Sequence, residues 1–224
     1  MNSFYPGRRK LRKLAMKIIG MDEAGRGPVL GPMILAAVSM EKEEASLLPT
    51  MGIKDSKKIR PQKRKALYQI LEGIESAEIK YIIFPPSEID QNSLTNLYRN
   101  GVLELCKKLE GKEIYLDLPC PPKGIPAYLE WFQNRLSPSK VYGMNGGEDR
   151  YPIVAAASIV AKVIRDQEME KIREAWGEDL GSGYPSDPKT RRFLNKLIQT
   201  EASLPPFVRS KWKTLQRLRQ KSLF

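Results

Sequence analysis

The stretch that most restricts the fold is Pro152–Trp176, and within it Ile153-Val154-Ala155-Ala156-Ala157-Ser158-Ile159-Val160-Ala161, where Ser158 alone is polar. The run is too long for a strand and reads as a helix. Pro152 suits its first turn, where a missing N–H leaves no hydrogen bond unmade. A helix segment that is apolar all round is stable only when buried on every side. Its small residues let neighbouring elements approach closely. The rest of the chain therefore has to supply layers around it.

Short runs bounded by turn residues, apolar over 33–39 and alternating over 77–84, predict strands over 17–21, 33–39, 77–84, 113–118 and 140–142. Helical periodicity predicts 61–71, 93–109 with Ser93 as a cap, 128–134, 189–200 and 211–220. Strands mixed with helices, followed by helices alone, predict an α/β core with a C-terminal helical lobe. The expected division is a basic extension over 1–16, an α/β domain over 17–176 and a helical lobe over 177–224.

The chain has no histidine among its 224 residues. That excludes Ser-His-Asp and Cys-His catalysis and any His-ligated zinc. Two cysteines, Cys106 and Cys120, make neither a disulfide framework nor a zinc site, and both are expected to be free. The formal net charge is +12. It resides at the ends: Arg8, Arg9, Lys10, Arg12, Lys13 and Lys17 at one, and Arg209, Lys211, Lys213, Arg217, Arg219 and Lys221 at the other, with no acid in either segment. Residues 18–206 are formally neutral. Phosphate backbone suits such ends, as does a plain solubilising role. No apolar run reaches the ~18 residues of a membrane span, and a cytoplasmic monomer is expected.

Asp22-Glu23 stands at a predicted strand end and is followed by Gly25-Arg26-Gly27-Pro28. Alone, the two acids are either a solvated turn or, if the glycines bend both carboxylates toward one point, ligands for Mg²⁺ or Mn²⁺. The glycines around Arg26 either make an ordinary turn or let backbone N–H groups approach a sugar or phosphate. Asp117 ends a strand expected to lie beside the first, and ligand sites gather at such strand ends. Asp149 precedes the long helix, as a cap or as a further acid. The basic loop with Ser56 and Lys57 suits phosphate or a solvated face. Tyr184, in a Gly/Ser/Pro loop, packs locally or stacks on a base or sugar. Lys162, Arg165 and Asp166 read as surface or ion-pair residues.

Together these segments resemble ribonuclease HII of the archaeal type. Residues 20–28 with Gly31-Pro32, Asp55-Ser56-Lys57, Tyr115-Leu116-Asp117, Asp149-Arg150-Tyr151-Pro152 with 155–162, and Gly183-Tyr184-Pro185 carry the likeness in order. The resemblance implies a ribonuclease H-like fold, a mixed five-stranded sheet flanked by helices with a C-terminal helical lobe. It implies that Asp22, Glu23, Asp117 and Asp149 hold two Mg²⁺ or Mn²⁺ ions. It implies that Gly25, Arg26, Gly27 and Tyr184 recognise a ribonucleotide through its 2′-OH, with Ser56 and Lys57 as further substrate contacts. The implied activity is endonucleolytic hydrolysis of RNA in RNA/DNA hybrids and cleavage 5′ of ribonucleotides embedded in DNA, giving 3′-OH and 5′-phosphate ends. A sliding-clamp partner is also implied, and Gln220-Lys221-Ser222-Leu223-Phe224 holds a trace of a clamp-binding peptide. One departure stands out: Gly147 and Glu148 precede Asp149, where the family usually has a lysine and a small residue. The competing readings are a duplex-binding protein that keeps this fold without catalysis, and the sister ribonuclease HIII, whose extra N-terminal domain residues 1–16 are too short to form.

Overall fold

Strand β1 (Lys17–Ala24) pairs antiparallel with β2 (Met33–Glu41), placing Lys17 opposite Glu41 and Ala24 opposite Ile34. The computed structural model describes residues 16–54, 59–200 and 203–222. After β2 come α1 (Lys42–Ala45), a 3-10 turn at Leu48–Met51 and α2 (Pro61–Glu72). Next are β3 (Glu78–Phe84), α3 (Pro86–Gln91) and α4 (Leu94–Lys108). Then follow β4 (Glu113–Asp117), a 3-10 turn at Pro122–Gly124, α5 (Ile125–Leu136) and β5 (Lys140–Met144). A 3-10 turn at Gly147–Asp149 leads into α6 (Pro152–Trp176), and α7 (Pro188–Gln199) and α8 (Lys213–Ser222) close the chain.

The sheet order is β3-β2-β1-β4-β5. β2 runs antiparallel to β1 and β3, while β4 is parallel to both β1 and β5. This is the mixed five-stranded sheet flanked by helices that the resemblance implies. Several boundaries differ. β1 continues to Ala24 rather than stopping before Asp22. α5 starts at Ile125, because Pro126 occupies a first-turn position and does not break the helix. The short α1 and α3 and the 3-10 turns lack the length over which a helical period shows.

Alternation along β1 and β2 gives each face of the sheet its own core. Ile18, Ala24, Ile34, Ala36 and Val38 pack with α6 on one face. Ile19, Met21, Met33, Leu35 and Ala37 pack toward α4 and α5 on the other. The buried helix is therefore a layer under the sheet, as its composition requires. Gly20 allows the closest approach: a Cβ there would lie 2.3 Å from the carbonyl oxygen of Ile153.

A third cluster joins the two ends of the molecule. Val29, Leu30 and Met169 pack with Phe193, Val208 and Leu215, and Leu30 forms a bridge with Val208. The basic C-terminal segment is thus no free phosphate clamp. Arg209 is fully buried, and only part of the charge, at Lys211, Lys213, Arg217 and Arg219, faces solvent. The basic N-terminal extension lies outside the described residues. Cys106 and Cys120 are free thiols. No helix among the described residues is long and apolar enough to cross a membrane.

Candidate active site

The parallel pairing of β1 with β4, with Met21 opposite Leu116, brings Asp22 and Asp117 together at the carboxyl ends of the two strands. Because β1 stays extended through Ala24, Asp22 and Glu23 point to opposite faces of the sheet. They do not turn toward one point, as a bend after Met21 would have required. Asp22, nearly buried, faces the α6 side, and its Oδ1 accepts the Glu23 N–H at 2.6 Å. Glu23 accepts Arg26 Nη1 on both carboxylate oxygens, at 3.1 and 3.2 Å. Asp117 lies within electrostatic reach of both. Its Oδ1 accepts the Gly147 N–H at 2.8 Å, and its carbonyl accepts the Tyr98 hydroxyl at 2.6 Å.

The fourth acid at this site is Glu148. It is buried, and its Oε2 accepts Ser158 Oγ at 2.7 Å and Lys162 Nζ at 3.2 Å. Asp149, expected in this role, is exposed. Both residues belong to the 3-10 turn Gly147–Asp149. Successive side chains there are about 120° apart, three residues making one turn, so when Glu148 faces α6 its neighbour faces water. Asp149 is not the cap of α6 either, since that position is Tyr151.

The electrostatics follow from crowding these acids. Burial raises the Asp22 pKa well above the usual carboxylate range; Asp117 and Glu148 raise it further, against a hydrogen bond from Ser158. Burial likewise raises Glu23, and Arg26 opposes the rise. The Tyr98 phenol is held well above its ordinary value by burial first and then by Glu23, Asp117 and Asp22. Among the described residues no three Cys, Asp or Glu side chains close on a single point. The acids are spread along the strand ends, with Lys162 and Arg26 beside them.

The turn after β1 lies next to this cluster. Gly25 has φ 87°, and a Cβ there would be 2.6 Å from both Arg165 Nε and the Pro32 carbonyl oxygen, so only glycine fits. Tyr184 comes over Gly27, where an added Cβ would lie 3.6 Å from its ring, and the ring is 41% exposed. The Arg165 guanidinium sits 5.4 Å from the centroid of the same ring and donates to the Ser182 carbonyl at 3.2 Å. The structure therefore gathers Asp22, Glu23, Asp117, Gly25, Arg26, Gly27 and Tyr184. Ser56 and Lys57 lie outside the described residues.

Sequence reasoning places Glu148 beside the site only as a tuner of metal affinity or a spare ligand, and it passes over Ser158, Lys162 and Arg165 as site residues. A signal was available: 158, 162 and 165 are spaced i, i+4, i+7, one polar stripe on a helix whose first half is otherwise apolar. Asp166, just off the stripe, pairs with Arg64 at 2.7 Å.

Comparison with known proteins bears on the whole chain. A family model described as ribonuclease HII matches residues 19–215. The ribonuclease HII of Pyrococcus furiosus is 36% identical over 208 residues, covering 92% of each chain. The crystal structure of ribonuclease H2 from Pyrococcus horikoshii superposes with a TM-score of 0.81 at 34% identity, over 92% of this chain and 98% of that one. The ribonuclease HII of Archaeoglobus fulgidus, solved as a complex with PCNA, also gives 0.81, at 33% identity and the same coverage.

Proposed function

This chain belongs to the ribonuclease HII family and is a ribonuclease H; from that premise we propose that it cuts on the 5′ side of ribonucleotides, both in RNA/DNA hybrids and embedded singly in duplex DNA, leaving 3′-OH and 5′-phosphate ends. The observation that carries this reading is that Asp22 lies within electrostatic reach of Asp117 and Glu148, beside a glycine turn with Tyr184 against it. One part of that arrangement suits phosphodiester hydrolysis and the other a ribose.

The donor set fits divalent cations. It consists of carboxylates alone, which favour Mg²⁺ or Mn²⁺, and their mutual repulsion in a buried place is relieved by positive charge. Asp22, Glu23, Asp117 and Glu148 would hold two such ions, with Glu148 taking the place first expected of Asp149. Bound ions would supply an activated water and stabilise charge on the leaving 3′-oxygen. Around them, Ser158 and Lys162 orient Glu148, and Arg26 steadies Glu23. The ribose would lie against Gly25–Gly27 with Tyr184 over it; Ser56 and Lys57 are further substrate contacts in this proposal. The non-catalytic alternative is disfavoured by the acids, which repel phosphate unless a cation lies between. The division into an extension over 1–16, a catalytic domain over 17–176 and a lobe over 177–224 belongs to the same proposal, as does a cytoplasmic monomer. A sliding clamp binding residues 220–224 is supported by the complex formed by the Archaeoglobus relative.

The test is cleavage of a DNA duplex bearing one ribonucleotide, beside a long hybrid and an all-DNA duplex, in Mg²⁺ and in Mn²⁺. We expect metal-dependent cleavage of the first two, with a single cut 5′ of the lone ribonucleotide. Cleavage of all-DNA duplex at the same rate, or of hybrid in EDTA, would overturn the reading.

A further inference from the structure

The turn that covers the site is held from below by the C-terminal lobe. Arg209, 0% exposed, donates from Nε to the Gly31 carbonyl at 3.0 Å, from Nη1 to the Arg26 carbonyl at 3.1 Å and from Nη2 to the Gly25 carbonyl at 2.6 Å. Trp212 Nε1 donates to the Gly27 carbonyl at 3.2 Å, and its ring lies 4.9 Å from the Arg209 guanidinium. Every carbonyl of Gly25-Arg26-Gly27 is therefore taken by one of two side chains about 180 residues away in sequence. Backbone bonds fix the same junction: Arg209 N–H to the Val29 carbonyl at 2.9 Å, and Gly31 N–H to the Phe207 carbonyl at 2.8 Å.

A buried arginine normally has a carboxylate partner; the Arg209 guanidinium instead donates to these carbonyl oxygens. Burial and the nearby Arg165 lower its pKa to about 9, still charged at neutral pH. Such an arrangement costs desolvation, so its consequence for the turn matters. In a planar trans peptide the C=O of one residue and the N–H of the next point in opposite directions. Fixing the Gly25 and Arg26 carbonyls on Arg209 therefore turns the N–H groups of Arg26 and Gly27 away from the lobe. Gly27 is followed by Pro28, which has no N–H. The turn thus presents a pair of adjacent donors, and a fixed guanidinium behind them adds positive potential.

We propose that Arg209 is a positioning residue for ribonucleotide selection: it clamps the carbonyls of the Gly25–Gly27 turn from the lobe side and so aims the Arg26 and Gly27 N–H groups at the ribose, with Trp212 completing the clamp. The proposal rests on the reading of this turn as the ribose-recognition element. It makes discrimination between ribose and deoxyribose a property of lobe docking as well as of the turn itself.

The readout is the ratio of affinities for a duplex bearing one ribonucleotide and for the all-DNA duplex, measured in Ca²⁺ to hold the substrate uncut. Arg209→Lys keeps the charge but cannot bridge three carbonyls, and it should lower the ratio by about tenfold, the lower end of the range for hydrogen bonds to charged groups. Trp212→Phe removes one neutral donor and should lower it by about threefold. Leu194→Ala, in the lobe core and with no hydrogen bond to these carbonyls, serves as a control for destabilisation and should leave the ratio unchanged. If Arg209→Lys does not fold, Trp212→Phe decides. An unchanged ratio in the folded clamp variants, or an equal fall in Leu194→Ala, overturns the clamp while leaving the turn's role intact. A wild-type protein that does not distinguish the two duplexes removes the recognition reading itself, and the clamp with it.

Discussion

At the scale of single residues, one step along the chain separates a buried acid from a solvated one. Glu148 and Asp149 differ by a rotation within a 3-10 turn, and that rotation decides which of them meets Asp22. We predict that Glu148→Gln lowers cleavage by on the order of 10²-fold or more, as does Asp22→Asn, while Asp149→Asn retains near wild-type turnover. Steady-state rates with duplex binding measured alongside will check this; an inactive Asp149→Asn with an active Glu148→Gln would reverse the assignment. The residues of the Asp-Glu-Ala-Gly-Arg-Gly stretch were legible as candidates because their types are unusual together. Which of Glu148 and Asp149 faces the site was not legible, since adjacent acids in an irregular segment have no period by which to assign a face.

At the scale of elements, α6 does two things at once. Its small residues let β1 approach to backbone contact, and its polar stripe of Ser158, Lys162 and Arg165 supports the acids and the glycine turn. Gly20→Ala puts a Cβ 2.3 Å from the Ile153 carbonyl oxygen, a clash with backbone that no side-chain rotation relieves. We expect it to cost about 1–3 kcal/mol, the usual range for overpacking, seen as a lower midpoint in denaturant; an unchanged midpoint would show that the helix shifts freely. α7 carries a different device. Asp187 caps it, accepting the Ser182 and Lys189 N–H groups at 2.6 and 2.8 Å. Hydrogen bonds from Ser182 depress its pKa to about 2 from an ordinary 3.8. The folded value lies below the unfolded one, so this stabilisation is present above pH ~4 and is lost as the pH falls toward 2. Asp187→Ala should therefore cost about 1 kcal/mol at neutral pH, with a smaller gap to wild type at pH 2.5. A gap of the same size at both pH values would refute the link between cap and charge.

At the scale of the whole molecule, the lobe is joined to the site through the third core cluster and through Arg209. Deleting residues 207–224 would remove buried Val208, Arg209 and Leu215, so weaker binding in such a truncation would report unfolding. The charge of that end is better tested by Lys211→Ala, Lys213→Ala and Arg217→Ala together, all exposed. We predict a shallower dependence of duplex affinity on salt, by up to ~0.9 in slope for each phosphate no longer neutralised, with an unchanged melting temperature; an unaltered slope would show that this face does not meet the backbone. Reading along the chain was enough to require a buried small-residue helix in an α/β core, to exclude histidine chemistry, and to put acids at the ends of two strands. Those are matters of composition and period, which act locally. It took the packed molecule to show that Glu148 and not Asp149 faces the acids and that Lys162 and Arg165 belong beside them. The same holds for Arg209, one of the basic residues of a tail by sequence, which is the buried clamp of a turn about 180 residues away. These are meetings of distant segments, settled by which side chains the packed elements leave without water to solvate them.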